Sequence, residues 1–130
     1  MEITKYKFFV SDLKKIVHIQ TFGFWFKEDA YQFFDEFEEY NRRFCGKGYM
    51  VIMDPIGLKS ENQDIFPEME HSLVLLAESG FSQKYVLLPE QHMTAWIQCN
   101  RILQQAVEKY DSLKCLNVVK RHEITNILLA

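Results

Sequence analysis

The side chains best placed for chemistry in this sequence are Asp54 and His92, followed at a distance by Glu68, His71 and the cysteines. Asp54 ends the apolar run Tyr49-Met50-Val51-Ile52-Met53, and His92 lies in the loop Pro89-Glu90-Gln91-His92-Met93 after Lys84-Tyr85-Val86-Leu87-Leu88. A carboxylate and an imidazole just beyond the carboxyl ends of neighbouring strands would form an acid–base or ligand-orienting pair, at the edge where open α/β sheets bind ligands. The same residues also have a structural explanation, because strand-end aspartates cap turns and a histidine in a polar loop needs no partner. Glu68 and His71 would share a helix face, but His18, His92 and His122 are scattered and supply no further ligands, so no metal is expected. Cys45, Cys99 and Cys115 are odd in number and widely spaced, which suits reduced thiols better than a disulfide framework. Cys99 and Cys115 read as small buried hydrophobes, and Cys45 falls near a helix end whose dipole disfavours a thiolate. Five glycines form neither a phosphate-cradling loop, a nucleotide fingerprint nor a serine-hydrolase elbow. No catalytic residue and no cofactor is assigned, and an enzyme ranks behind every other reading.

The elements that would position these residues follow from periodicity. Residues 4–10 and 15–22 are rich in aromatic and β-branched side chains and flank the polar turn Ser11-Asp12-Leu13-Lys14, which predicts a β-hairpin. In its second strand Val17, Ile19 and Thr21 would face one side, with Ile16, His18, Gln20 and Phe22 on a mixed, half-exposed other side. After Gly23 the spacing of Ala30, Phe33, Phe34, Phe37 and Phe44 predicts an amphipathic helix, ended by Gly46 or Gly48. The run 49–53 predicts a central strand covered on both faces, closed by Asp54-Pro55-Ile56-Gly57. A polar loop leads to a second helix from about Pro67 to Gly80, with Met69, Leu73, Leu76 and Ala77 inward. A strand at 84–88, a helix at 94–110, a last strand at 116–119 and a final short helix at 123–129 complete the chain.

The order is β-β-α-β-α-β-α-β-α, an α/β domain with a five-stranded mixed, mostly parallel sheet, the first strand an antiparallel addition. One domain spans residues 1–130, since 130 residues leave no room for a second core. A net charge of −3 lacks the positive field that nucleic acid requires. The opening residues MEITKYKFFVSD contain no apolar run long enough for a signal peptide or membrane span, so a cytoplasmic location without membrane insertion is expected.

This arrangement resembles the STAS family, named for sulfate transporters and anti-sigma-factor antagonists, with its sporulation-protein-AA-like fold. The likeness is carried by the opening hairpin, the 49–54 strand ending in aspartate, Gly80-Phe81 before the 84–88 strand, and the terminal segment 123–129. It implies a non-enzymatic regulatory module that works through protein–protein contact. The antagonist branch places a phosphorylated serine at the start of the second helix after an aspartate. Here Asp64 is followed by Ile65 and Phe66, Asp54 by Pro55, and Ser60 stands apart, so the expected module is not phospho-switched.

Two functional surfaces are therefore expected. The first is a loop and crevice for a partner, small molecule or anion, formed by Asp54, Ile56, Gly57, Leu58, Ser60, Pro89 and His92. The second is a self-association or partner interface on the hairpin, drawn from the aromatic residues Tyr6, Phe8, Phe22, Phe24 and Trp25. A homodimer or regulatory protein partner would cover it.

Overall fold

The structure, a computed structural model, describes residues 4–130. Strand β1 (Tyr6–Ser11) turns through residues 12–15 into β2 (Ile16–Gly23), the turn closing with Lys15 at φ 56°. Helix α1 (Lys27–Phe44), β3 (Met50–Leu58), α2 (Phe66–Glu78), β4 (Gln83–Val86), α3 (Met93–Lys109) and the two-residue β5 (Asn117–Val118) follow. The strands lie in sequential order, β1 antiparallel to β2 and every other pair parallel. This is the α/β architecture and strand order that the sequence predicts.

Repeating a right-handed crossover always in one direction stacks successive helices on one face of the sheet. The burial pattern agrees. Val17, Ile19, Val51, Met53 and Val86 share one core with Phe33 and Phe37 of α1, Leu76 and Ala77 of α2, and Leu103 and Ala106 of α3. Helix α1 starts where Asp29 reaches back to the Phe26 backbone N–H at 2.8 Å, satisfying a donor that the helix itself cannot. Its other end passes Gly46 and Gly48, both at positive φ, and touches the end of α2 at Gly80. A β-carbon on Gly80 would come within 3.2 Å of the Cys45 backbone, so the close approach of the two helix ends requires glycine there.

Three expectations change. Strand β3 does not close at Asp54 but runs on to Leu58, because Phe22 and Gly23 pair with Gly57 and Leu58. A register shift between Gln20 and Phe22 absorbs one extra residue of β3 beside Pro55, which has no N–H to give the ladder. The second face of β2 is not half exposed: Ile16, His18 and Gln20 are buried. The segment expected as a helix at 123–129 is instead a single 3-10 turn, Arg121–Glu123, followed by irregular chain. Seven residues are too few to sustain a helix alone. Their apolar side chains gain more by lying against the sheet, where Ile124, Ile127, Leu128 and Leu129 pack with Ile16, Ile52 and Leu87.

Candidate functional site

On the helix side, beyond the last paired residues of β3 and β4, a cavity of about 100 Å³ opens between the sheet and the helices. Met53, Pro55 and Leu58 of β3, Val86 to Leu88, and Phe33, Leu73 and Leu103 from the helices make its walls almost wholly apolar. Two acidic residues, Glu61 and Glu68, belong to this lining, and no lysine, arginine or histidine does.

Glu61 is held from both sides. Its Oε2 accepts the Trp25 backbone N–H at 2.8 Å, while the Gln98 side chain of α3 clasps its backbone, accepting from Glu61 N–H at 2.7 Å and donating to Glu61 O at 2.9 Å. The residue is only 6% exposed, and its Oε1 meets no hydrogen-bond donor among the described residues. Burial is the larger influence on this carboxyl and outweighs the Trp25 N–H and the charge of Lys5, pushing it up to about 7. Glu68 Oε2 is likewise buried and unpartnered, while its Oε1 meets the Tyr31 hydroxyl at 3.4 Å. Cys99 lines the same cavity, and burial together with the Glu61 charge pushes its thiol up to about 12, leaving it a poor nucleophile.

On the opposite face the sheet carries a second polar cluster. Asp54, fully buried on β3, receives His18 Nε2 at 2.7 Å from β2 and the Arg121 guanidinium from the C-terminal tail. His18 is also fully buried, and its Nδ1 accepts the Leu129 backbone N–H at 3.2 Å. That acceptor role places the imidazole proton on Nε2, so a neutral ring donates to Asp54. Burial alone would raise the Asp54 carboxyl, but the hydrogen bonds from His18 and Arg121 together hold it below its ordinary value. Every strong group here has a partner, and the tail seals the cluster.

The residues singled out from the sequence are distributed as follows. Asp54 lies in the tail-side cluster, with both oxygens engaged by His18 and Arg121 rather than by His92. His92 is exposed and caps α3, its Nδ1 accepting the Ala95 N–H at 3.2 Å. Leu58 lines the helix-side cavity, Pro89 is fully buried, and Ile56 and Ser60 are half-buried. Gly57 lies so close beneath Phe22 that a β-carbon would meet its ring at 2.5 Å. Of the hairpin aromatics, Tyr6 and Trp25 are buried in the helix-side core and Phe8 stacks on Tyr40 with ring centroids 4.2 Å apart. Phe22 is half-buried, and Phe24 alone of the five is exposed, against Phe26 at 5.4 Å. Burial, then the hydrogen bond to Glu36, pushes the Tyr6 hydroxyl up to about 12.

Four residues that organise the two sites, Glu61, Gln98, His18 and Arg121, were not selected from the sequence. Glu61 sits in a polar loop and Arg121 in a charged stretch, where nothing separates them from solvated neighbours. His18 did carry a signal, as a lone titratable group inside the apolar run 16–19. Among the described residues no group of three His, Cys, Asp or Glu side chains gathers to hold a metal, and no helix is long and apolar enough to cross a membrane. Compared with family models, curated proteins and solved structures, the chain matches none.

Proposed function

We propose that this chain is a non-enzymatic binding domain that takes a small molecule into the helix-side cavity. The observation that carries this is the cavity itself: an apolar chamber at the carboxyl ends of parallel strands, lined by two glutamates that each keep one buried carboxyl oxygen, Glu61 Oε1 and Glu68 Oε2, without a donor among the described residues. Buried polar atoms in folded proteins are nearly always satisfied, so an orphaned one on a residue lining a cavity marks a place where something else supplies the hydrogen bond. The surroundings argue against catalysis: the thiol is held protonated and the histidine of the tail-side cluster is sealed away. Screening small amphiphiles by ligand-observed NMR and thermal unfolding tests the assignment. Binders whose contacts map to Leu58, Glu61 and Leu103 are expected, and no binder from a set spanning apolar amines, alcohols and acids would overturn it.

A second reading, the regulatory interaction module that the STAS resemblance implies, is supported by the sequential strand order with helices on one face, and by a rim of exposed apolar side chains. Phe24 and Phe26 flank Trp25, whose backbone bonds to Glu61. Ile97 and Trp96 lie beside Gln98, which clasps the same residue, and Met93 is 73% exposed at the start of α3. A rim tied to Glu61 would report the state of the cavity to a protein partner or to a second copy of the chain. Sedimentation with and without a cavity binder tests this: a change in self-association is expected, and its absence together with failure to retain any partner would count against it.

A further inference from the structure

We propose that the ligand of the helix-side cavity is a small aliphatic amine, bound as its ammonium ion with the hydrocarbon part in the apolar chamber and the charged end at Glu61. This deepens the small-molecule reading and rests on it. Charge comes first. The lining carries two carboxyl groups and no basic side chain, so an anionic ligand would be repelled and a cationic one would be the missing counter-charge. The neighbouring cation, Lys5, is already engaged with the Phe24 carbonyl at 2.6 Å and Asp29 at 2.8 Å.

Hydrogen-bonding character agrees. Glu61 Oε1 and Glu68 Oε2 are both buried and without donors among the described residues, and both belong to side chains of this cavity. A carboxylate only accepts, whereas an ammonium presents three donors and no acceptor. Trp25, Phe33 and Phe34 add aromatic rings to the same wall, and aromatic faces attract cations. Because burial pushes Glu61 up to about 7, an arriving ammonium would favour its ionised form.

Size sets the hydrocarbon. A dry cavity of about 150 Å³ holds benzene, so about 100 Å³ suits a chain of roughly four carbons. A larger amine would have to leave part of itself at the rim among Phe24, Phe26 and Trp96, which are exposed.

The test compares n-butylamine, n-butanol and butyrate on the unaltered chain at constant ionic strength, by calorimetry and by chemical-shift mapping. The amine is expected to bind at the cavity at least about tenfold more tightly than the alcohol, in line with a charge-assisted hydrogen bond, and butyrate not at all. Glu61→Gln is expected to remove about tenfold of the amine's affinity while leaving the alcohol's unchanged. Equal binding of amine and alcohol in the cavity, or binding of butyrate, overturns the amine assignment while leaving a small-molecule site. Failure of all three to bind overturns both. The three-ligand comparison needs no variant, so poor folding of Glu61→Gln would not shield the proposal.

Discussion

The sheet separates two buried carboxylates that the fold treats in opposite ways. Asp54, on the tail side, receives a neutral histidine and an arginine and is held below its ordinary value. Glu61, on the helix side, receives one backbone N–H, meets no donor at its other oxygen among the described residues, and is pushed up to about 7. Both are almost fully buried, so burial alone does not distinguish them. The difference lies in what faces them. A carboxylate with both oxygens engaged is part of the structure, whereas one with a buried oxygen left without a donor beside an apolar space is open to a further partner. The contrast separates a closed polar cluster, whose role is to fasten the tail, from a site that a ligand completes.

The largest expected effect breaks the closed side. Asp54→Ala leaves Arg121 and the His18 Nε2 proton facing an apolar gap, and removing one member of a buried pair typically costs roughly 3–5 kcal/mol. Urea unfolding should show a loss in that range and a freed tail, seen as fast hydrogen exchange at Leu129, whose N–H now donates to His18. A loss below about 1 kcal/mol, the range of exposed ion pairs, would mean that Asp54 is not sealed as described. Next in size is Ile124→Ala. Ile124 is 6% exposed and joins the tail to Ile16, Ile52 and Leu87, and truncating such a side chain costs roughly 2–5 kcal/mol. Its loss should be smaller than that of Asp54→Ala, and the cavity on the other face should bind as before.

How much of this contrast was legible in the sequence depends on distance along the chain. Helix α1 was readable because Phe33, Phe37 and Phe44 repeat within one element, and the alternation of β2 was readable because Val17 and Ile19 alternate with Ile16 and His18, although the burial of its second face was not. Asp54 was readable as a strand-end carboxylate. Its partners were not, since His18 lies 36 positions away and Arg121 lies 67 away, and the natural guess paired it with His92 across a neighbouring strand end. The tail misled for a physical reason: Ile124, Ile127 and Leu128 have helical spacing, but a short segment follows the apolar surface offered to it rather than its own periodicity. Glu61 was hidden because a glutamate in a polar loop looks solvated until Gln98 and Trp25 close on it.

The pH dependence of stability turns the contrast into opposite slopes. Asp54 is held below its ordinary value, so its contribution is present above about pH 4 and is lost as pH falls through the lower folded value. Glu61 runs the other way. The folded chain holds its proton more tightly than the unfolded chain, so its contribution is full below 4.5 and is lost as pH rises through about 7. The loss across that window should be about 3 kcal/mol, and Glu61→Gln should flatten it while leaving the acid limb intact. Chemical denaturation at pH 5, 6, 7 and 8 decides this, and an unchanged slope in Glu61→Gln would remove Glu61 as its source.

The smallest effect probes the open side through Cys99. Cys45 and Cys115 are exposed and Cys99 is half-buried, so in a chain carrying Cys45→Ser and Cys115→Ser only the cavity thiol remains. Burial is the main cause of its raised value and the Glu61 charge the lesser one, so Glu61→Gln should speed its alkylation only modestly, by about two- to threefold at pH 8.5. Asp54→Asn, on the far face, should leave that rate unchanged. An amine that occupies the cavity should slow it by screening the thiol, whereas butyrate at the same concentration should not. Equal sensitivity of Cys99 to Glu61→Gln and Asp54→Asn would show that the two faces of the sheet are coupled, and that the separation between a sealed cluster and an open site does not hold.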